Sequence, residues 1–446
     1  MITNTAVTFK NINRLAIPAT ISGIAEPLLS ITDTAIVGNI PVDGVESLAA
    51  AGIVGSFLSM LIWVLGQTRS AISAIISQYL GSDKLHEVQN LPAQAIFLNL
   101  SLSFLVLGST IFFIEDIFRA FEASGKILDY CVSYYAIRVW GFPLTLFTFA
   151  LFGIFRGLQN TFYPMLVAMI GAGLNIVLDI VLVFGIEGYI PALHLEGAAW
   201  ASLISQAVMA ILALVLLRAK TNISLTPEFS INKELKSLIF MSLNLFVRTL
   251  ALNTALLLAV REATALGTKF IGAHTIAVNI WLFTAFFIDG YSAAGNSMGG
   301  RLLGAKDYDG LWTLAKRINR YGVIVSLVLM LLGFIFYESI GQLFSREVSV
   351  LNVFYSVFYI VLLGLPMNSI AFLFDGMFKG MGKMKFLRNV LLGATFLGFV
   401  PALYIGLQMG WGIHAIWLAF VVWMLCRSTP LVWKFRNDFK PLLQKD

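Results

Sequence analysis

Long apolar segments alternate with short polar connections along the whole chain. A helix needs about 20 apolar residues to cross the hydrocarbon core of a membrane. The period-two alternation of membrane strands is absent, so each segment is predicted to cross as a helix that satisfies its own backbone hydrogen bonds. Twelve spans are predicted, with approximate bounds 14–38, 46–80, 91–114, 127–155, 162–185, 196–218, 237–263, 270–303, 314–337, 349–379, 386–408 and 411–433.

Composition supports an all-α integral membrane protein. The 446 residues are 58% hydrophobic and only 12% charged, whereas soluble proteins carry about 25% charged residues. The net charge of +6 comes from basic residues in short loops, which does not indicate nucleic-acid binding. The sequence contains no nucleotide-binding, zinc-protease or nucleophile-elbow motif, so we expect neither an enzyme nor a bound cofactor.

The distribution of basic residues predicts the orientation. Of the 30 Lys and Arg residues, 22 fall at the termini, in the even-numbered connections or in the parts of the spans next to these, and five fall in the odd-numbered connections. Basic residues stay on the cytoplasmic side of a membrane. We therefore expect both termini to be cytoplasmic in a monomeric, multi-pass protein of the plasma (inner) membrane.

Two distant motifs recur at one offset, which indicates an internal repeat. At an offset of 223, the segment 140–160 matches 363–383 at Gly141, Pro143, Gly153, Phe155 and Gly157, paired with Gly364, Pro366, Gly376, Phe378 and Gly380. Leu80 and Gly81 match Leu303 and Gly304 at the same offset. The repeat predicts two six-helix lobes, 1–222 and 223–446, inserted in the same orientation and related by an axis along the membrane normal. Such lobes suit a transporter that works by alternating access.

Two acids stand deep in the predicted spans. With a rise of about 1.5 Å per residue, Asp33 and Asp179 lie about 28 and 26 Å from the cytoplasmic ends of spans 1 and 5. Asn175 precedes Asp179 by four residues on one helix face, and Glu26 precedes Asp33 by two turns. Two carboxylates in a partly dry site repel each other, and one proton relieves the repulsion. The same oxygens could instead bind Na⁺, with no other metal site expected.

Other polar and helix-breaking residues are secondary candidates. Pro18 and Pro27 each remove a backbone hydrogen bond from span 1 and are predicted bending points. Arg248 and Asp289 are deep charges of the second half, which we interpret as lobe-pairing or substrate-binding candidates. We expect a buried partner for Asp289, because an isolated buried charge is costly. Asp375, near a cytoplasmic end, is expected to reach the membrane surface, and Arg69 and Arg138 are expected to pair with acids or helix ends.

Several segments resemble the multidrug and toxic compound extrusion (MATE) family. The segments "DTAIVG", "LNIVLD" and "GIFRGLQNT" are similar to the family in general. Three further segments resemble the DinF branch of this family in particular: "FVRTLAL", "GMFKGMGK" and "IGAHTIAVNIWLFTAFFIDGYSAAGNSMGGRLLGAKD". The resemblance covers essentially all twelve spans. It implies a V-shaped bundle of six plus six helices that exports organic compounds against inward H⁺ or Na⁺.

The resemblance also assigns residues. It implies that the cation site of the N-terminal lobe lies at Asp33, Asn175 and Asp179, and that the first helix bends at Pro18. The NorM branch carries acids in spans 7 and 10, whereas span 7 here carries Arg248, which favours protons as the coupling ion.

The leading hypothesis is thus an H⁺-coupled exporter of small amphipathic organic molecules in the lipid bilayer. The alternatives are a Na⁺-coupled drug antiporter, an exporter of organic anions with Arg248 as counter-charge, a flippase for lipid-linked precursors, and a structural bundle that transports nothing.

Overall fold

The computed structural model describes residues 6–41, 43–225 and 230–443, except for five side chains of the first helix: Glu26, Pro27, Leu28, Ser30 and Ile31. The helices are α1 Phe9–Gly38, α2 Gly44–Leu65, α3 Thr68–Gly81, α4 Leu91–Phe112, α5 Ile114–Ala120, α6 Gly125–Arg138, α7 Gly141–Gly157, α8 Phe162–Phe184, α9 His194–Lys220, α10 Leu235–Leu266, α11 Thr268–Gly304, α12 Tyr308–Ile335, α13 Tyr337–Phe344, α14 Val348–Gly380, α15 Met384–Gly393, α16 Val400–Gln408 and α17 Ile413–Phe439. A π-helical turn at Ala394–Phe399 joins α15 to α16.

The predicted all-α membrane fold is confirmed. Within the described residues, ten helical segments are long and apolar enough to cross a membrane, and the bent pair α6 and α7 makes an eleventh. The 30-residue helix α1 is long enough for the predicted twelfth. The chain is therefore a multi-pass membrane protein, and the cytoplasmic location of its termini stays a prediction.

The predicted fourth span is broken rather than straight. Helices α6 and α7 meet at an angle of 45°. Pro143, in the first turn of α7, has no N–H to donate to the carbonyl of Val139, which weakens the backbone at this break. Its repeat equivalent, Pro366, lies inside the unbroken helix α14. The break leaves Arg138 as the last residue of α6.

Contacts divide the chain into two compact units. Unit 1 comprises residues 1–20, 77–83 and 240–446, and unit 2 comprises residues 21–76 and 84–239. The boundaries cut through α1, two residues after Pro18, through α3 and through the start of α10. Two short segments of the first sequence half thus belong to unit 1, and the lobe bounds 1–222 and 223–446 stay a prediction.

The core of unit 1 is aromatic. Phe399, Phe420 and Trp423 pack against one another where α17 meets the turn before α16. A second cluster includes residues from the start of α1, from α11, α12 and α14, and from the end of α17. The Tyr291 hydroxyl of α11 donates to Asn13 Oδ1 of α1 at 2.8 Å, so the beginning of α1 is fixed within this unit by polar as well as apolar contacts.

In unit 2, the loop after α1 is held by a polar contact. The Tyr130 hydroxyl donates to Asp43 Oδ2 at 2.8 Å, and Lys126 Nζ lies 3.1 Å from both carboxylate oxygens. These two donors lower the pKa of the Asp43 carboxyl below its ordinary value. Beneath the loop, Phe57, Phe118 and Tyr135 pack edge to face or tilted in the apolar core.

Glycine-mediated helix contacts recur at the predicted offset of 223. An added Cβ at Gly153 of α7 would lie 2.7 Å from the carbonyl oxygen of Arg69 in α3. The repeat equivalents are Gly376 of α14 and Ser292 of α11, where an added Cβ would overlap the corresponding carbonyl. The two halves therefore pack equivalent helices through the same backbone approach.

A further set of contacts in unit 1 is reciprocal. A Cβ at Gly81 would overlap the carbonyl of Arg301, and a Cβ at Gly304 would overlap that of Gln78. Residues 78 and 301 are also 223 apart, so each member of one pair is the repeat equivalent of a member of the other. In a two-fold symmetric interface, residue i of one copy contacts residue j of the other and j contacts i, and these two contacts follow that pattern. The duplicated helical architecture expected from the sequence is confirmed.

Candidate functional site

One face of α8 carries the polar pair predicted from the sequence. Its buried positions recur every three or four residues, which is the pattern of one helix face. Asn175 and Asp179 occupy two of these positions and are 1% and 0% exposed. The Asn175 side-chain oxygen and nitrogen have no hydrogen-bond partner among the described residues. This face thus presents unsatisfied polar groups in the interior of unit 2.

Asp33 of α1 meets Asp179 across this face. Their carboxyl groups lie within hydrogen-bonding range of each other. Asp33 Oδ1 and both Asp179 carboxyl oxygens are buried, and no side chain or backbone group in the described part of the chain donates to them. Two ionised carboxylates are acceptors only, so this pair forms a hydrogen bond only when one member carries a proton.

Arg138 lies beside the carboxyl pair. The break after α6 brings its guanidinium within electrostatic range of both Asp33 and Asp179. The Arg138 Cζ atom lies 5.7 Å from the ring centre of Tyr134, and its Nε is buried without a partner in the described residues. Tyr134 is itself 5% exposed. A cation and an aromatic ring thus border the carboxyl pair. The Gly141–Pro143 sequence after α6 did not predict the break, because its repeat equivalent, Gly364–Pro366, lies in the unbroken helix α14.

Two other predicted residues of this region are not tested. The side chains of Glu26 and Pro27 lie outside the described residues. The α1 backbone is helical through Pro18 and Pro27, from Phe9 to Gly38. The role of Pro18 and Pro27 as bending points of α1 therefore stays a prediction.

A second charged cluster lies inside unit 1. Arg248 of α10 donates through Nε and Nη2 to Asp375 Oδ1, at 3.1 and 2.5 Å. Lys379, one turn further along α14, lies 3.0 Å from Asp375 Oδ2. Asp375 is only 6% exposed, so the expectation that it reaches the membrane surface was wrong. Its place near the end of a 33-residue helix does not expose it, because α10, α11 and α17 cover this part of α14.

Arg427 belongs to the same cluster and was missed by the sequence analysis. It lies within the predicted span 411–433 but was not among the candidate residues. Helix α17 runs from Ile413 to Phe439 and leaves Arg427 only 2% exposed. Its Cζ lies 5.3 Å from the Phe372 ring centre and 4.9 Å from that of Trp423. Such contacts offset about 0.5–2 kcal/mol, which is less than the penalty of several kcal/mol for an unpaired buried ion.

Asp289 does not behave as predicted. Its side chain is exposed in the structure, and no ion pair or hydrogen bond joins it to another described residue. It is only near enough to Lys379 for a longer-range electrostatic interaction. The prediction of a buried partner for Asp289 was therefore wrong. Arg248, the other candidate for lobe pairing or substrate binding, forms an ion pair with Asp375 instead.

Comparison with known proteins identifies the family. The MatE family model matches residues 18–181 and 245–404, more than two thirds of the chain. The chain belongs to the MatE family. The two matched segments end 223 residues apart, which is the offset of the internal repeat. MatE proteins are transporters, not enzymes.

Curated relatives and solved structures match over most of the chain. DNA damage-inducible protein F of Escherichia coli is 26% identical over 96% of this chain and 92% of its own length. The probable multidrug resistance protein NorM of Pasteurella multocida is 25% identical over 96% and 94%. The alignment with Protein DETOXIFICATION 43 of Arabidopsis thaliana covers 73% of this chain and 62% of the plant protein.

A crystal structure described as MATE in the bent conformation shares the fold. It has a TM-score of 0.88 and 23% identity, covering 97% of this chain and 96% of that one.

Proposed function

We propose that this MatE protein exports small amphipathic organic molecules in exchange for protons, by alternating access. The observation that carries the proposal is the buried contact between the carboxyl groups of Asp33 and Asp179. Without a proton, the contact brings together two negative charges. With one, it is a hydrogen bond between α1 and α8. Proton binding therefore changes the force between these two helices, which is what coupling requires.

Arg138 supports protons over Na⁺. A sodium ion at the carboxyl pair would be coordinated by oxygens of Asp33, Asp179 and Asn175, and carboxylate and amide oxygens are suitable ligands for it. The fixed positive charge of the Arg138 guanidinium repels a second cation and already balances part of the carboxylate charge. A proton meets the same repulsion, but it needs only one carboxyl oxygen and is shared in a hydrogen bond with the facing carboxylate, whereas Na⁺ needs several oxygen ligands and space for the ion.

The substrate class rests on the relatives and on composition. The P. multocida relative carries the name of a multidrug resistance protein. The chain contains 36 Phe, 9 Trp and 14 Met residues, which provide apolar and adaptable surfaces for varied organic molecules. We propose amphipathic compounds, often cationic, as substrates.

Proteoliposomes test the proposal. The purified full chain is reconstituted, and transport of a fluorescent organic cation is followed under an imposed pH gradient or an imposed Na⁺ gradient. We expect transport under the pH gradient alone and simultaneous proton movement in the opposite direction. Transport that requires Na⁺ and ignores the pH gradient would overturn the proton assignment, and transport under neither gradient would overturn coupled export.

A further inference from the structure

The charged cluster of unit 1 contains more positive than negative charge. Arg248, Lys379 and Arg427 surround the carboxylate of Asp375, and the exposed carboxylate of Asp289 interacts with Lys379 only at longer range, so three cations face two acids. A guanidinium does not lose its proton in proteins. Even if Lys379 were neutral, two guanidinium groups would face one carboxylate. The excess of positive charge is therefore built into the residues and does not depend on pH.

Asp375 has no capacity left for Arg427. Its Oδ1 accepts from Arg248 and its Oδ2 lies 3.0 Å from Lys379. Arg427 has Nη1 3.6 Å from the Met424 sulfur, which is a weak acceptor, and Nη2 is buried without any partner among the described residues. No carboxylate or carbonyl oxygen of the described chain accepts from this guanidinium.

Aromatic rings hold the Arg427 guanidinium in place. Phe372 of α14 and Trp423 of α17 both contact it, and Trp423 is itself fixed by a 3.0 Å hydrogen bond from its Nε1 to Thr395 Oγ1. A fixed guanidinium with free N–H groups presents a planar fork that matches the two oxygens of a carboxylate. The flanking rings suit an apolar group attached to that carboxylate.

We propose that Arg427 is the anchor of a binding site for a carboxylate-bearing organic anion, in the cluster that it forms with Arg248, Asp375 and Lys379. The anion neutralises the excess positive charge, and its carboxylate accepts hydrogen bonds from the unused N–H groups of Arg427. The site lies wholly in unit 1 and shares no residue with the carboxyl pair of unit 2. Its occupation is thus independent of whether protons drive export.

Calorimetric titration of the purified full chain in nonionic detergent and low-salt buffer tests the site. Sodium benzoate supplies the carboxylate and an apolar ring, and benzylamine, positively charged at neutral pH, supplies a similar ring with the opposite charge. We expect saturable benzoate binding to the wild-type chain and at least tenfold weaker binding to Arg427→Gln. Arg346→Gln, which alters an exposed arginine of the same unit, should bind benzoate like the wild type.

Four results would overturn the proposal. These are no saturable benzoate binding to the wild type, equal benzoate binding to Arg427→Gln, displacement of bound benzoate by benzylamine, and binding of chloride but not benzoate. Size-exclusion chromatography and circular dichroism first establish that each variant is folded. If Arg427→Gln does not fold, Arg427→Lys replaces it, because lysine keeps the charge without the planar fork. Weakened benzoate binding to that variant supports the site, and unchanged binding contradicts it.

Discussion

The Nη2 atom of Arg248 lies 2.5 Å from Oδ1 of Asp375, and this buried pair joins α10 to α14. The carboxylate is the only acid that contacts the cations of this cluster among the described residues. It therefore stabilises α10 and α14 together, and also lowers the cost of burying Lys379 and Arg427.

The first expectation is that Asp375→Asn strongly destabilises the protein. The substitution keeps the shape but leaves three buried cations without a carboxylate. Removing one partner of a buried ion pair typically costs about 3–5 kcal/mol. Thermal unfolding in detergent measures the loss. Asp116→Asn, at an exposed acid, is the control and should change stability by no more than about 0.5 kcal/mol. Equal melting temperatures for the two variants would contradict the role of Asp375.

The second expectation concerns coupling. Asp33→Asn and Asp179→Asn each remove a titratable proton from the pair while keeping side-chain size. Since the two groups titrate together, losing either should abolish export driven by a pH gradient. Export of a fluorescent cation from vesicles is the measurement, and Asp129→Asn, at an exposed acid of α6, should export normally. Wild-type export by either site variant would refute the proton mechanism.

The third expectation concerns ion choice. Arg138→Gln removes the fixed cation beside the carboxyl pair, so Na⁺ should bind there more readily. Transport by this variant should gain a dependence on a Na⁺ gradient that the wild type lacks. Arg119→Gln, which disrupts an exposed ion pair with Glu115, should leave ion preference unchanged. If Arg138→Gln keeps the wild-type preference, Arg138 does not select the coupling ion.

The fourth expectation is a pH-dependent contribution from Asp43. Tyr130 and Lys126 lower the pKa of this carboxyl. Their stabilising effect is therefore fully present above the unfolded pKa of about 3.9, and is lost as pH falls through the lower folded pKa. Asp43→Asn, which tolerates the local φ of +52°, should melt below the wild type at neutral pH. The difference in melting temperature should shrink in acid, and a difference that is constant with pH would exclude the ionised carboxyl as its cause.

The fifth expectation follows from the reciprocal glycine contacts. Gly81→Ala and Gly304→Ala each drive a methyl group into a backbone carbonyl, of Arg301 and Gln78 respectively. Both should lower the melting temperature, and by similar amounts, because the contacts are repeat equivalents. Gly108→Ala, where an added Cβ meets nothing within 4 Å, is the control and should not lower it. A large effect at only one of the two sites would show that the contacts are not equivalent.

The sequence predicted those features that depend on local patterns. Apolar length predicted the membrane helices, the offset of 223 predicted the repeat, and the i, i+4 spacing placed Asn175 and Asp179 on one face. These properties need no knowledge of neighbouring helices.

The burial of charged side chains and the identity of their partners were harder to predict. Asp375 was expected at the surface from its distance to a helix end, but neighbouring helices bury that end. Arg427 did not stand out in the sequence, because other basic residues follow it in α17 and its burial depends on how that helix packs. Arg138 required the angle between α6 and α7, which places its side chain beside two helices distant in sequence. Each of these features depends on how the helices pack together, and the length of an apolar segment does not predict that packing.

Ser77 contacts Gly300, and these two residues are themselves 223 apart in the sequence. An added Cβ at Gly300 would overlap the Ser77 hydroxyl. In a dimer of two separate half-length chains, a residue that meets its own copy must be of the same type on both sides, and two serines would not fit here. Joining the halves into one polypeptide frees each position to change alone. This contact has a hydroxyl on one side and only hydrogen on the other, an asymmetry that identical subunits cannot have.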